Sequence, residues 1–232
     1  MTVVELAPVS AAAGVAVVEV GRALPALADV PALGARCLVR LAGRPVGVVD
    51  LPGPCTCLDA ASLAAAIEAA LGPALPGPLT AVGFDQAQQV APREVAETVT
   101  VVIATRDRPD TLTRCLESLL AARPAPAAVV VVDNAPSDQR TLELVERLHG
   151  DDSRITYVTE PRPGLGRAHN AALPHVATEH VAFTDDDVIV DPGWVGAIAD
   201  GFHAAPDVAC VTGLIAPAEL RTEEQWLSLI HI

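Results

Sequence analysis

From about Glu97 onward, apolar and polar positions settle into a regular alternation. Val99–Ala104 is an uncharged, largely β-branched run, which predicts a buried strand. Thr111–Ala122 then places Leu112, Cys115, Leu116, Leu119 and Leu120 at helical spacing, with Asp110 as the expected cap. Val129–Val132 predicts a second strand, and Gln139–Leu148 a second helix capped by Asp138. Ile155–Val158 is a third strand, followed by a helix from Leu165 to Leu173. His180–Phe183 reads as a fourth strand, Trp194–His203 as another helix and Val208–Leu214 as a fifth strand. Strands alternating with helices imply βαβ units joined by right-handed crossovers. The expected class is α/β, a Rossmann-like, mostly parallel sheet with helices on both faces.

The first 95 residues follow another pattern and predict a small α+β region. Val15–Val20 and Ala35–Leu41 read as strands, Arg44–Leu51 as the partner of the second, and Ala42-Gly43 as the turn between them. Ser62–Leu71 is an Ala-rich helix with Asp59 as N-cap. Gly72–Gly83, with Pro at 73, 76 and 78, reads as a linker. No catalytic constellation stands out in this region, and Asp50 and Asp59 read as turn and cap residues. The expected domains are therefore 1–95, 97–226 and a short tail, 227–232.

Charge narrows the function classes. The net charge is −14, and all fifteen positive residues are Arg, with no Lys anywhere. Such a chain offers no basic footprint for nucleic acid and no polybasic cluster for an anionic membrane. No apolar run approaches the roughly 18 residues that cross a bilayer. Met1–Val20 carries Glu5 and Glu19 without a basic leader, so it does not read as a signal peptide. Cys37, Cys55, Cys57, Cys115 and Cys210 form no metal-binding spacing and are expected to be reduced, structural thiols. The expected location is cytoplasmic, with peripheral membrane association open for a full-length protein.

In a doubly wound sheet, ligands bind outside the carboxyl ends of the strands where the strand order reverses. If the order begins 3-2-1-4, three distant segments meet there: Thr105-Arg106-Asp107, Asp133-Asn134 and Thr184-Asp185-Asp186-Asp187. Three adjacent carboxylates repel one another unless a cation or hydration offsets the charge. Their hard oxygens suit Mg²⁺ or Mn²⁺, which bind through one or two carboxylates plus substrate phosphates. The alternative is a solvated acidic turn ahead of a helix that Asp191 and Pro192 introduce.

The segments VTVVIATRDRPDTLTRCLESLL, VVVVDNAPSD, PGLGRAHNAAL and HVAFTDDDVIVDPGW together resemble the four successive blocks of family 2 glycosyltransferases of the GT-A fold. The likeness runs from Val99 to Leu214. It implies a nucleoside-diphosphate-sugar site in which Thr105 and Asp133 line the nucleoside pocket, Asp133 accepting from the base. Arg106 and Asn134, beside them at the strand ends, belong to the same site. Asp185–Asp187 resembles the DxD motif: Asp185 lies near the ribose and shares the metal with Asp187, while Asp186 depends on the register in which the motif is read. The family usually shows Ala-Arg-Asn where this chain has Ala168-His169-Asn170. The basic partner of Asn170 is then Arg167, about 200° around the helix from His169. His169 itself reads as a neutral, solvent-facing residue, and Gly164 and Gly166 as serving the tight helix entry.

The implied chemistry is transfer of a sugar to an unknown glycan, lipid or small-molecule acceptor. A Mn²⁺ or Mg²⁺ ion stabilises the charge that builds on the departing diphosphate. Inversion needs a carboxylate base for the acceptor hydroxyl, which in the family lies downstream of the DxD motif. Glu219, Glu223 and Glu224 carry no mark of that base, which is expected beyond residue 226, so the chain reads as the donor half of a longer enzyme. Leu227–Ile232, LSLIHI, translates a widely used transposase sequencing adapter and is expected to be artefactual. Other readings remain. One is a non-catalytic nucleotide-binding fragment. Another is a haloacid-dehalogenase-type phosphatase, disfavoured by Ile189, by the position after a fourth strand and by the absence of Lys. A nucleotidyltransferase lacks its Gly-rich loop at Thr105–Pro109.

Overall fold

A computed structural model describes residues 13–21, 23–41, 43–75, 99–149 and 152–225. The chain divides into two compact units, one of Met1–Val90 with Leu214–Ile232 and the other of Ala91–Gly213.

In the first unit, β1 (Gly14–Glu19) pairs in parallel with β3 (Ala35–Leu41), which pairs antiparallel with β4 (Arg44–Leu51). Two four-residue strands that the sequence pattern did not reveal, β2 (Leu27–Val30) and β5 (Cys55–Leu58), form a separate antiparallel ribbon. Helix α1 (Ala60–Leu71) is capped as expected, the Asp59 carboxylate accepting from the Ser62 amide at 2.7 Å. Its buried face, Leu63, Ala64 and Ile67, packs with Val18, Val39 and Val49 into one apolar core. The expected linker begins as a single 3₁₀ turn at Gly72–Ala74 followed by buried Leu75, and from residue 76 on it lies outside the described residues, as does the tail 227–232. Leu220 forms an antiparallel bridge with Ala13 of this unit.

The second unit is the expected parallel sheet. Its order is β8 (Ile155–Glu160), β7 (Ala128–Asn134), β6 (Val99–Thr105), β9 (His180–Asp185), with every pairing parallel. In order of appearance that is 3-2-1-4. Side chains alternate across the pleat. Val99, Val101, Ile103, Val129 and Val131 meet α2 (Pro109–Leu120), α3 (Arg140–His149) and α5 (Trp194–Phe202) on one face. Val102, Val130 and Val132 meet Ala168 and Ala172 of α4 (Leu165–Ala172) on the other. Covering both faces explains why β6 and β7 read as uncharged, nearly continuous apolar runs up to their polar ends.

Two local expectations are corrected. Helix α2 starts at Pro109, so Asp110 lies inside its first turn instead of capping it; the N-cap is Arg108, without a side-chain capping bond. Pro at the first position costs no hydrogen bond there and holds the helical φ. The Val208–Leu214 strand does not form. Val211 instead lies against Gly201, and Gly213 against Trp194, so the segment runs over α5 and meets no strand edge. Without a ladder partner, its β-branched residues cannot make a strand.

Candidate functional site

The carboxyl ends of β6, β7 and β9 open onto a cleft of about 390 Å³, lined by Thr105, Arg106, Arg108, Asn134, Leu165 and the acidic turn Asp185–Asp187. Strand order explains the convergence: β6 sits between β7 and β9, so loops far apart in sequence leave the sheet side by side.

The three aspartates have separate environments. Asp186 is buried, and its Oδ2 accepts from the Thr105 hydroxyl at 2.7 Å. Its Oδ1 lies 3.4 Å from Arg108 Nη1, and the same nitrogen stands 3.5 Å from Asp187 Oδ2. Asp185 and Asp187 are exposed at the cleft. Helix α2 braces this turn from behind. The Cys115 thiol faces the Asp185 carbonyl at 3.4 Å, and Ser118 Oγ accepts from the Val190 amide at 3.1 Å. Burial and the neighbouring carboxylates push the Cys115 thiol up to about 12, so it stays protonated.

At the end of β7, Asp133 is wholly buried and does not line the cleft. Tyr157 donates to its Oδ2 at 2.7 Å, whereas Oδ1 is buried without a hydrogen-bond partner. Burial raises the Asp133 pKa, against the Tyr157 bond and the neighbouring Thr141 hydroxyl, which lower it. The Tyr157 phenol is itself pushed up to about 12, chiefly by burial. Asn134 organises the neighbouring loop: its amide donates to the carbonyls of Glu160 and Arg162, and its oxygen accepts from Gly164 at 2.8 Å. Glu160 is clamped by Arg162 through two 2.9 Å contacts, which holds its carboxyl down to about 2. Gly164, at φ +135°, makes the turn into α4 that a Cβ would strain. Gly166 sits in open helix and plays no comparable part.

Residues 100–228, more than half of the 232-residue chain, match the sequence model of glycosyl transferase family 2. The chain belongs to that family. Among curated relatives, chondroitin synthase of Pasteurella multocida is 26% identical over 98 residues, covering 42% of this chain and 10% of its own length. Glucosyl-dolichyl phosphate glucuronosyltransferase of Haloferax volcanii is 25% identical over 122 residues, covering 51% and 38%. Of solved structures, a Pyrobaculum calidifontis mannosyltransferase in complex with GDP-Man and Mn²⁺ is 26% identical, covers 56% of this chain and 40% of its own, and gives a TM-score of 0.44. S. aureus TarS 1–349 in complex with UDP is 26% identical, with 46% and 32% covered and a TM-score of 0.41. This member of the glycosyl transferase family spans a minority of the length of each relative named here.

Of the expected site residues, the cleft gathers Thr105, Arg106, Asn134 and all three aspartates. Arg167 and Asn170 are exposed on α4 and line no part of it. His169 does not face solvent freely: its half-buried ring packs on Phe183 of β9 with centroids 4.4 Å apart. Glu219 pairs with Arg221 and, with Glu223 and Glu224, belongs to the first unit. All five cysteines are free, yet only Cys37 and Cys115 are buried, and Cys57 and Cys210 lie exposed, so a structural-thiol reading holds for the first pair alone. Two further residues matter locally: Arg108, which the sequence pattern did not single out, and Asp107, which it placed at the strand end without a role. Arg108 touches two of the three carboxylates, and Asp107, at φ 56°, accepts from both the amide and hydroxyl of Ser137 at 2.9 Å. Those bonds hold the Asp107 carboxyl below its usual range. Asp is among the few residue types that tolerate such a left-handed backbone, and an Asp just past a strand end was the available signal. Among the described residues no helix is long and apolar enough to cross a membrane.

Proposed function

We propose that the second unit binds a nucleoside-diphosphate sugar and that the enzyme it belongs to transfers the sugar to an acceptor hydroxyl, with metal assistance and inversion at the anomeric carbon. The observation that carries this reading is the division of labour in the acidic turn. Asp186 is committed inward to the Thr105 hydroxyl, which leaves Asp185 and Asp187, the latter 3.5 Å from Arg108, presenting carboxylate oxygens to an open cleft.

That donor set fits a hard divalent cation. Among the described residues no three His, Cys, Asp or Glu side chains form a closed cage. Mg²⁺ and Mn²⁺ need none, since one or two carboxylates suffice when water and substrate phosphates complete the shell. Asp187, with Asp185, would hold the ion, which when bound supplies Lewis-acid stabilisation of the departing diphosphate. The chain's own residues do the rest of the donor binding. Arg106 and Arg108 set two guanidiniums in the cleft where a diphosphate brings negative charge. Asn134 fixes the Glu160–Gly164 loop that carries Leu165 to the cleft wall. Asp133 Oδ1, buried without a hydrogen-bond partner at the end of β7, is the acceptor assigned to an N–H of the base. Free cysteines throughout favour a reducing compartment such as the cytoplasm.

Calorimetric titration with UDP, GDP and dTDP, with Mn²⁺, with Mg²⁺ and in EDTA, tests the reading. Binding is expected only with metal and is lost in Asp187→Ala. Equal affinity in EDTA would overturn it.

A further inference from the structure

Two arginines share the cleft with the acidic turn, and their partners differ. Arg106 Nε stands 3.8 Å from Asp107 Oδ2. Arg108 places one nitrogen between two carboxylates of the turn, 3.4 Å from Asp186 and 3.5 Å from Asp187. Those separations are long for charge-assisted hydrogen bonds, and a single shared nitrogen is not a bidentate clamp. Arg108 is therefore a loosely held counter-ion. Its anchorage is uneven. Asp186 is 6% exposed in its side chain and already fixed by Thr105, whereas Asp187 is 55% exposed and Arg108 itself 60%. The backbone of Arg108 is set by its position just before Pro109 at the start of α2, and only its head is free to swing.

We propose that Arg108 is a resident counter-ion that trades places with the metal. In the metal-free protein it offsets the charge of Asp187. On loading it releases Asp187 to the divalent cation and turns its charge toward the arriving diphosphate, keeping Asp186 as its pivot. The proposal rests on the nucleotide-sugar reading above. A guanidinium and a divalent cation repel one another at a shared carboxylate, so each occupancy weakens the other. The consequence is a pair of effects with opposite signs. Without Arg108 the metal binds more tightly, because its competitor has gone, and the diphosphate binds less tightly, because a cation that should meet it has gone. A residue that merely held the turn in shape would weaken both. A plain phosphate ligand would leave metal affinity alone.

The experiment uses the full chain as wild type, Arg108→Gln, Arg108→Lys and Arg140→Gln, the last removing a cation paired with Asp138 rather than with the turn. Mn²⁺ alone is titrated first, followed by calorimetry or by the electron paramagnetic resonance signal of the free ion. UDP and GDP are then titrated at saturating Mn²⁺. Arg108→Gln is expected to bind Mn²⁺ roughly two- to fivefold more tightly, the scale of an exposed ion pair. Its affinity for whichever nucleotide binds the wild type should fall about tenfold, a charge-assisted phosphate contact. Arg108→Lys returns Mn²⁺ affinity to within about twofold of wild type, and Arg140→Gln leaves it unchanged. Melting temperatures close to wild type verify that the variants fold. Unchanged or weaker Mn²⁺ binding by Arg108→Gln overturns the exchange while leaving the nucleotide-sugar reading intact. A wild-type chain that binds neither Mn²⁺ nor nucleotide overturns that reading and the exchange with it.

Discussion

Replacing Asp133 with Asn should make the metal-free protein more stable and a poorer nucleotide binder. Asp133 is wholly buried at the end of β7, with Oδ2 satisfied by Tyr157 at 2.7 Å and Oδ1 without a hydrogen-bond partner. A buried polar atom without a partner costs about 1–3 kcal/mol, and a charged one more. Asn keeps the Tyr157 bond through its own oxygen and exchanges the orphaned anionic oxygen for a neutral amide. The amide is unpartnered too, so the two penalties partly cancel and the net gain is about 1–2 kcal/mol. For a unit of this size that is a rise in Tm of roughly 3–8 °C. The pH dependence gives an independent check. Burial holds the folded pKa of Asp133 above its unfolded value, so its unfavourable contribution is fully present above the folded pKa. That contribution disappears as pH falls to the unfolded pKa. Acidification from pH 7 should therefore narrow the stability gap between Asp133→Asn and wild type. Differential scanning calorimetry of both proteins at several pH values, with calorimetric titration of UDP and GDP in Mn²⁺, measures all three quantities. A variant that melts lower than wild type at pH 7, with a gap independent of pH and unaltered nucleotide affinity, would refute the reasoning and make Asp133 an ordinary structural carboxylate.

Three further changes probe the supports of the cleft. Thr105→Val removes the hydroxyl that donates to buried Asp186 and should cost about 1.5–3 kcal/mol by denaturant titration, the range for a hydrogen bond to a charged group; a loss under about 0.5 kcal/mol, the scale of an exposed ion pair, would show that Arg108 alone suffices for Asp186. Asn134→Ala deletes a side chain that ties β7 to Glu160, Arg162 and Gly164, and should destabilise by about 1–3 kcal/mol while speeding amide exchange at Gly164; unchanged exchange at Gly164 would refute the brace. Arg162 holds the Glu160 carboxyl down to about 2 from an ordinary 4.5, so the pair's contribution is present above pH 4.5 and lost as pH falls toward 2. Glu160→Gln should flatten the acid limb of the stability curve in that window, and an unaltered limb would mean that the pair forms equally in the unfolded chain.

Much of the second unit was legible in the chain. Its central strands β6 and β7 are covered on both faces, so they read as largely β-branched apolar runs, and the amphipathic α2 declares itself through Leu112, Cys115, Leu116 and Leu119, all of them buried. The polar residues that end those strands could be brought together on paper, because a 3-2-1-4 order forces the ends of β6, β7 and β9 into one place. Such signals are local or follow from topology. Others are neither. Val208–Leu214 has the composition of a strand, but a strand exists only with an edge to pair, and this segment lies on α5 instead. The four-residue strands β2 and β5 are too short to show a period, and they are held by pairing with each other across the intervening segment 31–54.

The acidic turn shows most plainly what only the tertiary structure decides. Asp185, Asp186 and Asp187 are one letter written three times, and no pattern along the chain tells them apart. The Thr105 hydroxyl, 81 residues earlier, reaches only the middle one, because β6 and β9 are neighbours in parallel register with Ala104 opposite Asp185. That contact buries Asp186 and leaves its two neighbours at the cleft. Arg108 enters for the same reason: the start of α2 lies beside the end of β9, so its charge meets two carboxylates nearly eighty residues away. Residue type and periodicity determined the strands, the helices and the kind of chemistry available. Which side chain is spent on holding the site and which is left open to a ligand was decided by contacts between segments that only folding brings together.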